Sequence, residues 1–386
     1  MKSLFQVIIR ELRRLAPDPL VWFCIVVAPL LTALFFTTFM WQGLPTNMPI
    51  GLVDEDNTPT TRQIARNLDA MQQTRITANF ADITEARRAM QRGEIYAFFY
   101  IPRGTTSLAN QQKRPTISFY TNYSYLVAGS LSMRDMRMMS ELASGAAARK
   151  VLYARGLTEQ QAMAFLQPIV IETHPIGNPT LNYNVYLSNM LIPGILGIFI
   201  FMMTVYSIGS ETKHGTASEW LGQAHGNIHR ALVGKLLPQT VLFLLVGALV
   251  VIWLYGYMHF PCQCSPWTMM RVMSLYVVAC QGMGVFMISM LPTLRLGLSF
   301  ASLWGVVSFS ICGMSYPTMA MDAPLQGAAM LFPLRHYFLL YVNCALDGYP
   351  LMNAGLHVLA LLGFMLLPLL CGWWLKRQLL TVRYVP

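Results

Sequence analysis

Several groups of side chains in this sequence have the residue types that chemistry requires. Asp54, Glu55 and Asp56 follow an apolar run, as carboxylates around a metal would. Asn57, Thr58 and Pro59 come next, so the cluster reads instead as a solvated turn. His225 and His229 share a helical face but lack a third ligand, and His174 beside Pro175 has no acid or metal partner nearby in sequence. Cys262-Gln263-Cys264 brings two thiols together, yet one intervening residue strains a local disulfide and leaves a metal site incomplete. Gly226 and the later Gly234-Lys235-Leu236 have the wrong spacing for a phosphate loop, and Leu236 replaces the hydroxyl that would hold magnesium. No Gly-x-Ser-x-Gly nucleophile motif occurs. The expectation is a non-enzyme with no catalytic, cofactor or metal residues.

A different kind of candidate spans Glu211-Thr212-Lys213-His214-Gly215-Thr216-Ala217-Ser218-Glu219-Trp220-Leu221. Glu211 would close an apolar run at the aqueous boundary, where ionisation costs little. Thr216 and Glu219 have the spacing of a capping box for a short helix, whose Trp220 and Leu221 would pack on a partner or on lipid. Lys235 reads as a snorkelling residue at the start of the next run.

The elements positioning these residues follow from composition. Of 386 residues, 55% are hydrophobic and only 11% charged, against about 25% charged in a soluble protein. Such a chain cannot cover a soluble surface, and disorder, coiled coil and nucleic-acid binding are disfavoured too. Six apolar runs reach the roughly 20 residues that a membrane helix needs. They are Leu20–Met40, Val185–Ser210, Leu236–Tyr257, Val272–Leu294, Leu296–Met314 and Ala354–Leu375, the fourth and fifth divided only by Pro292 and Arg295. The first is longer than a signal peptide's apolar core and is expected to remain uncleaved.

The net charge of +10 is better explained by topology than by an acidic ligand. Lys2, Arg10, Arg13, Arg14, Lys213, Arg230, Lys235, Arg295, Lys376, Arg377 and Arg383 all fall on one side of six spans. That side is expected to be cytoplasmic, with both termini on it. Trp22, Phe23, Trp373 and Trp374 would mark the inner boundary, and Trp41, Tyr183, Tyr186, Tyr257, Phe260 and Trp267 the outer one. Residues 1–19 should include an interfacial helix with Leu4, Val7, Ile8, Leu12 and Leu15 on its apolar side. Residues 20–41 form the first span, and residues 42–180 form an outer domain. Residues 181–386 hold spans two to six, with a cytoplasmic loop over 211–230 and a broken segment over 316–349.

The outer region carries 14 basic and 11 acidic residues, an ordinary mixed surface. Strands are expected at Met48–Asp54, Arg75–Phe80, Ile95–Ile101, Thr116–Tyr120 and Ile169–Glu172. Helices are expected at Thr60–Leu68, Ile83–Gln91, Leu126–Arg155 and Thr158–Gln167. The fold class is thus an α-helical polytopic membrane protein of six spans with an inserted α/β domain and an outer re-entrant segment.

The whole chain resembles the membrane permease subunit of type 2 ABC exporters, in the branch with a large extracytoplasmic domain between the first two spans. The resemblance rests on the basic helix before span one, the long insertion, and Glu211 followed by Gly215-Thr216. Gly234-Lys235-Leu236-Leu237-Pro238 and Phe332-Pro333-Leu334-Arg335-His336-Tyr337 complete it. A Thr-Pro pair common in the family is replaced here by Gln223-Ala224-His225-Gly226.

The resemblance implies a bacterial inner-membrane exporter with residues 42–180 in the periplasm. It implies cytoplasmic ABC ATPase subunits that use ATP and magnesium, and a second copy or related permease. Glu211, Gly215, Thr216, Glu219, Trp220 and Leu221 would serve ATPase coupling, and Pro333, Arg335 and Tyr337 an outer exit or interface. A periplasmic adaptor and membrane lipids are further partners. The few ionisable residues in the spans favour an amphipathic or hydrophobic cargo. A sensor or assembly protein that moves no cargo is the alternative, and a membrane enzyme the weaker one.

Overall fold

The computed structural model describes residues 2–111, 113–168, 172 and 174–382. The chain divides into two compact units, Leu44–His174 and the remainder.

In Leu44–His174, four strands pair in the order β2-β1-β3-β4: β1 Met48–Asp54, β2 Thr74–Asn79, β3 Ala97–Ile101 and β4 Ser118–Thr121. β1 runs parallel to β2 and β3, and β4 runs antiparallel to β3. β1 is apolar almost throughout because both its faces are covered, as a central parallel strand requires. On one face Ile50, Leu52, Phe99 and Ile101 pack with Leu68 of helix Pro59–Asp69 and with Met136 and Met139 of helix Leu126–Ala154. On the other, Val53 and Phe98 meet Ala86 and Ala89 of helix Ile83–Gln91.

These elements lie within a few residues of their expected bounds, and a short helix at Thr105–Asn110 is additional. Of the strand expected at Ile169–Glu172, only Glu172 belongs to the described residues. The acidic turn is not simply solvated. Asp56 accepts hydrogen bonds from the Gly104 amide at 2.7 Å, the Thr106 amide at 3.0 Å and the Thr106 hydroxyl at 2.6 Å, anchoring the additional helix.

In the other unit, six helices among the described residues are long and apolar enough to cross a bilayer. They are Pro19–Phe39, Tyr183–Lys213, Ile228–Tyr257, Pro266–Met290, Leu294–Ile311 and Leu351–Thr381, here spans one to six. The break between spans four and five covers residues 291–293, at Pro292 and a few residues before the expected boundary, and Arg295 lies in the first turn of span five. Spans two and four form the centre, with 67% and 78% of their most apolar windows buried. Span six buries only 17% and turns Leu359, Leu366, Leu370 and Trp373 outward, as a lipid-facing helix does.

Between spans five and six, Thr318–Ala320, Ala323–Ala329 and Pro333–Tyr341 are short helices, the last continuing as a π-helical turn over Val342–Leu346. Pro324 and Pro333 each occupy the first turn of a helix, where the missing N–H is not needed.

Candidate functional site

Span two ends in a Schellman turn. The Thr216 amide donates to the Glu211 carbonyl at 3.0 Å and the Gly215 amide to the Thr212 carbonyl at 3.3 Å. Gly215 sits at φ +68°, the left-handed conformation this turn demands and an L side chain resists. The chain then re-enters a short helix, Ala217–Gln223. The expected capping box is absent from it: the Thr216 side chain makes no capping bond, because its hydroxyl donates to the Glu211 carboxylate instead.

Glu211 lies at the middle of a buried charge cluster. Arg10 of helix Lys2–Leu15 forks onto both carboxylate oxygens at 3.0 Å each. Arg14 of the same helix donates to Glu211 and, at 2.9 Å, to the Ser210 hydroxyl. Lys235 of span three donates to Glu211 at 2.7 Å and to Glu11 at 2.8 Å. Ser207 donates to the other oxygen of Glu11 at 3.1 Å. The Lys235 ammonium also lies 5.1 Å from the centre of the Trp220 ring, within cation–π range.

Lys235 and Glu211 are fully buried, and Glu11 is nearly so. Charges so placed persist only when paired and hydrogen-bonded. Here three cations face two carboxylates, with the two arginines partly exposed at the rim. Burial works against the Arg10 charge, but its bonds to Glu211 and the nearby Glu11 carboxylate raise its pKa above the ordinary value.

Four expectations are corrected by this geometry. Lys235 does not snorkel to water, because two carboxylates hold its ammonium inside the protein. Glu211 is not at an aqueous boundary but buried among its partners. Trp220 and Leu221 pack within the chain and not against lipid, leaving Ser218 and Glu219 exposed on the short helix. The inward face of the N-terminal helix departs from the stripe assigned to it at one position: Val7 and Leu15 are buried and Leu4 and Ile8 half-buried, but Leu12 is exposed and Glu11 is buried instead.

That inward face lies close against span three, where a Cβ on Gly234 would come within 2.8 Å of the Val7 side chain. At the far end of the loop, Asn227 caps span three through the amides of His229 and Arg230. Lys376 of span six donates to the Gly226 carbonyl at 2.6 Å. The N-terminal helix and spans two, three and six thus converge on the loop over 211–230.

Sequence reasoning missed Arg10, Glu11, Arg14 and Lys235 as members of this site. The available signals were Glu11, an acid between Val7 and Leu15 on one helical face, and Lys235, a lysine within a helix otherwise apolar from Leu232 to Leu237. Each implies a partner of opposite charge when buried.

The residues expected at an outer exit or interface lie apart from this charge cluster. Pro333 starts its helix and is buried, and the buried Tyr337 ring lies 4.9 Å from that of Tyr276. Arg335 donates to the Cys312 carbonyl at 3.2 Å and the Thr318 hydroxyl at 3.1 Å, fastening the short helices to the end of span five. Beside it, His336 and His357 approach to 3.2 Å between their Nδ1 atoms.

No group of three or more metal-ligating side chains that could hold an ion is found among the described residues. A family model described as ABC-2 family transporter protein matches residues 19–374. No curated protein and no solved structure matches the chain.

Proposed function

This chain belongs to the ABC-2 transporter family, and on that premise we propose that it is the permease subunit of an ATP-driven exporter whose coupling element is the loop over 211–230. Family membership and six spans carry the general role of a multi-pass ABC-2 permease, and they imply ATPase and membrane partner subunits. The exporter direction, the cargo class and the coupling residues go beyond that general role.

The observation that carries it is the pinned loop. A helix that receives force from an ATPase must be exposed on one side and held rigidly on the other. The helix Ala217–Gln223 presents Ser218 and Glu219 outward, while Trp220 and Leu221 anchor it beneath. Glu211 joins its preceding turn to the N-terminal helix through Arg10 and Arg14, and to span three through Lys235. Closure of the partner ATPases would therefore move span two, span three and the N-terminal helix together. The arginines keep the N-terminal helix on the cytoplasmic side, which puts both termini inside and residues 42–180 in the periplasm.

Glu211 and Glu11 are taken up by Lys235, Arg10 and Arg14 and offer no open charged site along a pathway. This favours an amphipathic or hydrophobic cargo. The short helices between spans five and six are broken backbone of the kind that lines an exit on the outer side, covered by protein. A second permease completes the pathway, and the periplasmic domain receives an adaptor.

Copurification of the chain with an ABC ATPase, followed by ATP-dependent movement of a lipophilic dye in reconstituted vesicles, tests the reading. Movement lost in Glu211→Gln at equal expression is the expected result. ATPase association with no vectorial movement by the unaltered complex would favour the assembly role instead.

A further inference from the structure

The turn after span three and the segment before span six share a cluster of thiols. The Cys262 and Cys264 sulfurs are 3.6 Å apart, in contact but unbonded. Between them, the Gln263 amide donates to the Ala345 carbonyl at 2.8 Å, stitching the turn to the π-helical turn Val342–Leu346. The same two strands of chain stay close further on, where a Cβ on Gly348 would lie 3.1 Å from the Gln263 side chain. Cys344 is the residue next to Ala345. It is fully buried and lies within electrostatic reach of both turn thiols.

We infer that these three cysteines are an oxidation site at which Cys344 is joined to Cys262 or Cys264, stapling the outer segment before span six to the turn after span three. A bond within the turn would close a strained ring, whereas a bond to Cys344 closes a long loop, the case in which a crosslink restricts the unfolded chain most. The inference rests on the outward orientation of these loops proposed above, because disulfides persist in the periplasm and not in the cytosol.

The chemistry needs an acceptor for two electrons, supplied by the disulfide of a thiol–disulfide oxidant. A thiolate of the chain attacks one oxidant sulfur and forms a mixed disulfide, expelling the other sulfur as a thiolate. The second cysteine, deprotonated, then attacks the sulfur of its neighbour in the mixed disulfide. The new Cys–Cys bond forms, and the two protons given up by the cysteines end on the two oxidant thiolates, which leave as a dithiol. Burial pushes the Cys264 thiol well above its ordinary pKa, so the reaction belongs to the stage before the segment packs.

The full chain in native membranes is quenched in acid, unfolded, and treated with a light alkylating reagent. It is then reduced, labelled with a heavy reagent and mapped by mass spectrometry, with a non-reduced digest in parallel. The expected result is heavy label on Cys344 and on one turn cysteine, a non-reduced peptide pair joining them, and loss of all heavy label from this cluster in Cys344→Ser. Light label on all three, or a bond between Cys262 and Cys264 alone, overturns the proposal. A reporter fused at residue 100 reads orientation independently. A periplasmic reporter with three light-labelled thiols refutes only the staple, whereas a cytosolic reporter refutes the orientation and the staple with it.

Discussion

Replacing Glu211 by Gln tests the charge cluster without changing side-chain size. Glu211 accepts from Arg10 through two nitrogens, from Arg14, from Lys235 and from Thr216. A neutral amide leaves three cations with only the Glu11 carboxylate, and Lys235 has no route to water. Removing one partner of a buried ion pair costs about 3–5 kcal/mol. Arg10 and Arg14 are partly exposed and recover some of that through hydration, so the lower end of the range applies. At 1.4 kcal/mol per tenfold, the docked state of helix Lys2–Leu15 should lose about 100-fold in its equilibrium. Hydrogen exchange of residues 4–15 in lipid nanodiscs reads this directly, because local opening sets the protection of a docked helix. Adding Lys235→Met to Glu211→Gln should restore part of the protection by removing the stranded cation. Unchanged protection of residues 4–15 in Glu211→Gln would refute the reasoning.

Gly215→Ala should destabilise the turn by roughly 1–2 kcal/mol, since the left-handed conformation and not steric contact opposes the substitution. Gly215→Asn should lose less, and thermal unfolding of the purified chain ranks the two. Gly234→Ala should push the N-terminal helix off span three at a cost of roughly 1–3 kcal/mol, read as faster exchange over residues 4–15. In the unit Leu44–His174, the Thr106 hydroxyl, with the amides of Thr106 and Gly104, holds Asp56 below its ordinary pKa against the opposing effect of burial. A carboxyl depressed in the folded state stabilises fully above its unfolded pKa of about 3.9 and loses that contribution as pH falls through the folded value. The stability advantage of the unaltered chain over Asp56→Asn, measured by urea unfolding with a probe in residues 44–174, should therefore be full at pH 6 and shrink below about pH 4.

The elements legible in the sequence were those fixed by local pattern. Six apolar runs gave six long helices because length and apolar composition together decide what can cross a bilayer. β1 and helix Ile83–Gln91 have the bounds expected of them, and in the fold Asp82 caps that helix by accepting from the Glu85 amide. The charge cluster was not legible in the same way. Its bonds join Arg10 and Glu11 to residues some two hundred positions later, and only the folded chain brings those partners together. The Thr216 hydroxyl was diverted from its expected cap by a nearby carboxylate, that of Glu211 on the preceding turn. On the N-terminal helix, the helical spacing picked out the buried Val7 and Leu15 but also the exposed Leu12. Burial of Lys235 selects the side that carries Glu11.

The central claim is that the exposed side of helix Ala217–Gln223 receives an ATP-binding subunit. A photo-crosslinking amino acid placed at Glu219 in living cells tests it, with the same group at Leu359 of span six as a control. Capture of an ABC ATPase from position 219 and of no ATPase from position 359 is the expected result. Position 219 reaching only periplasmic proteins or lipid would contradict it.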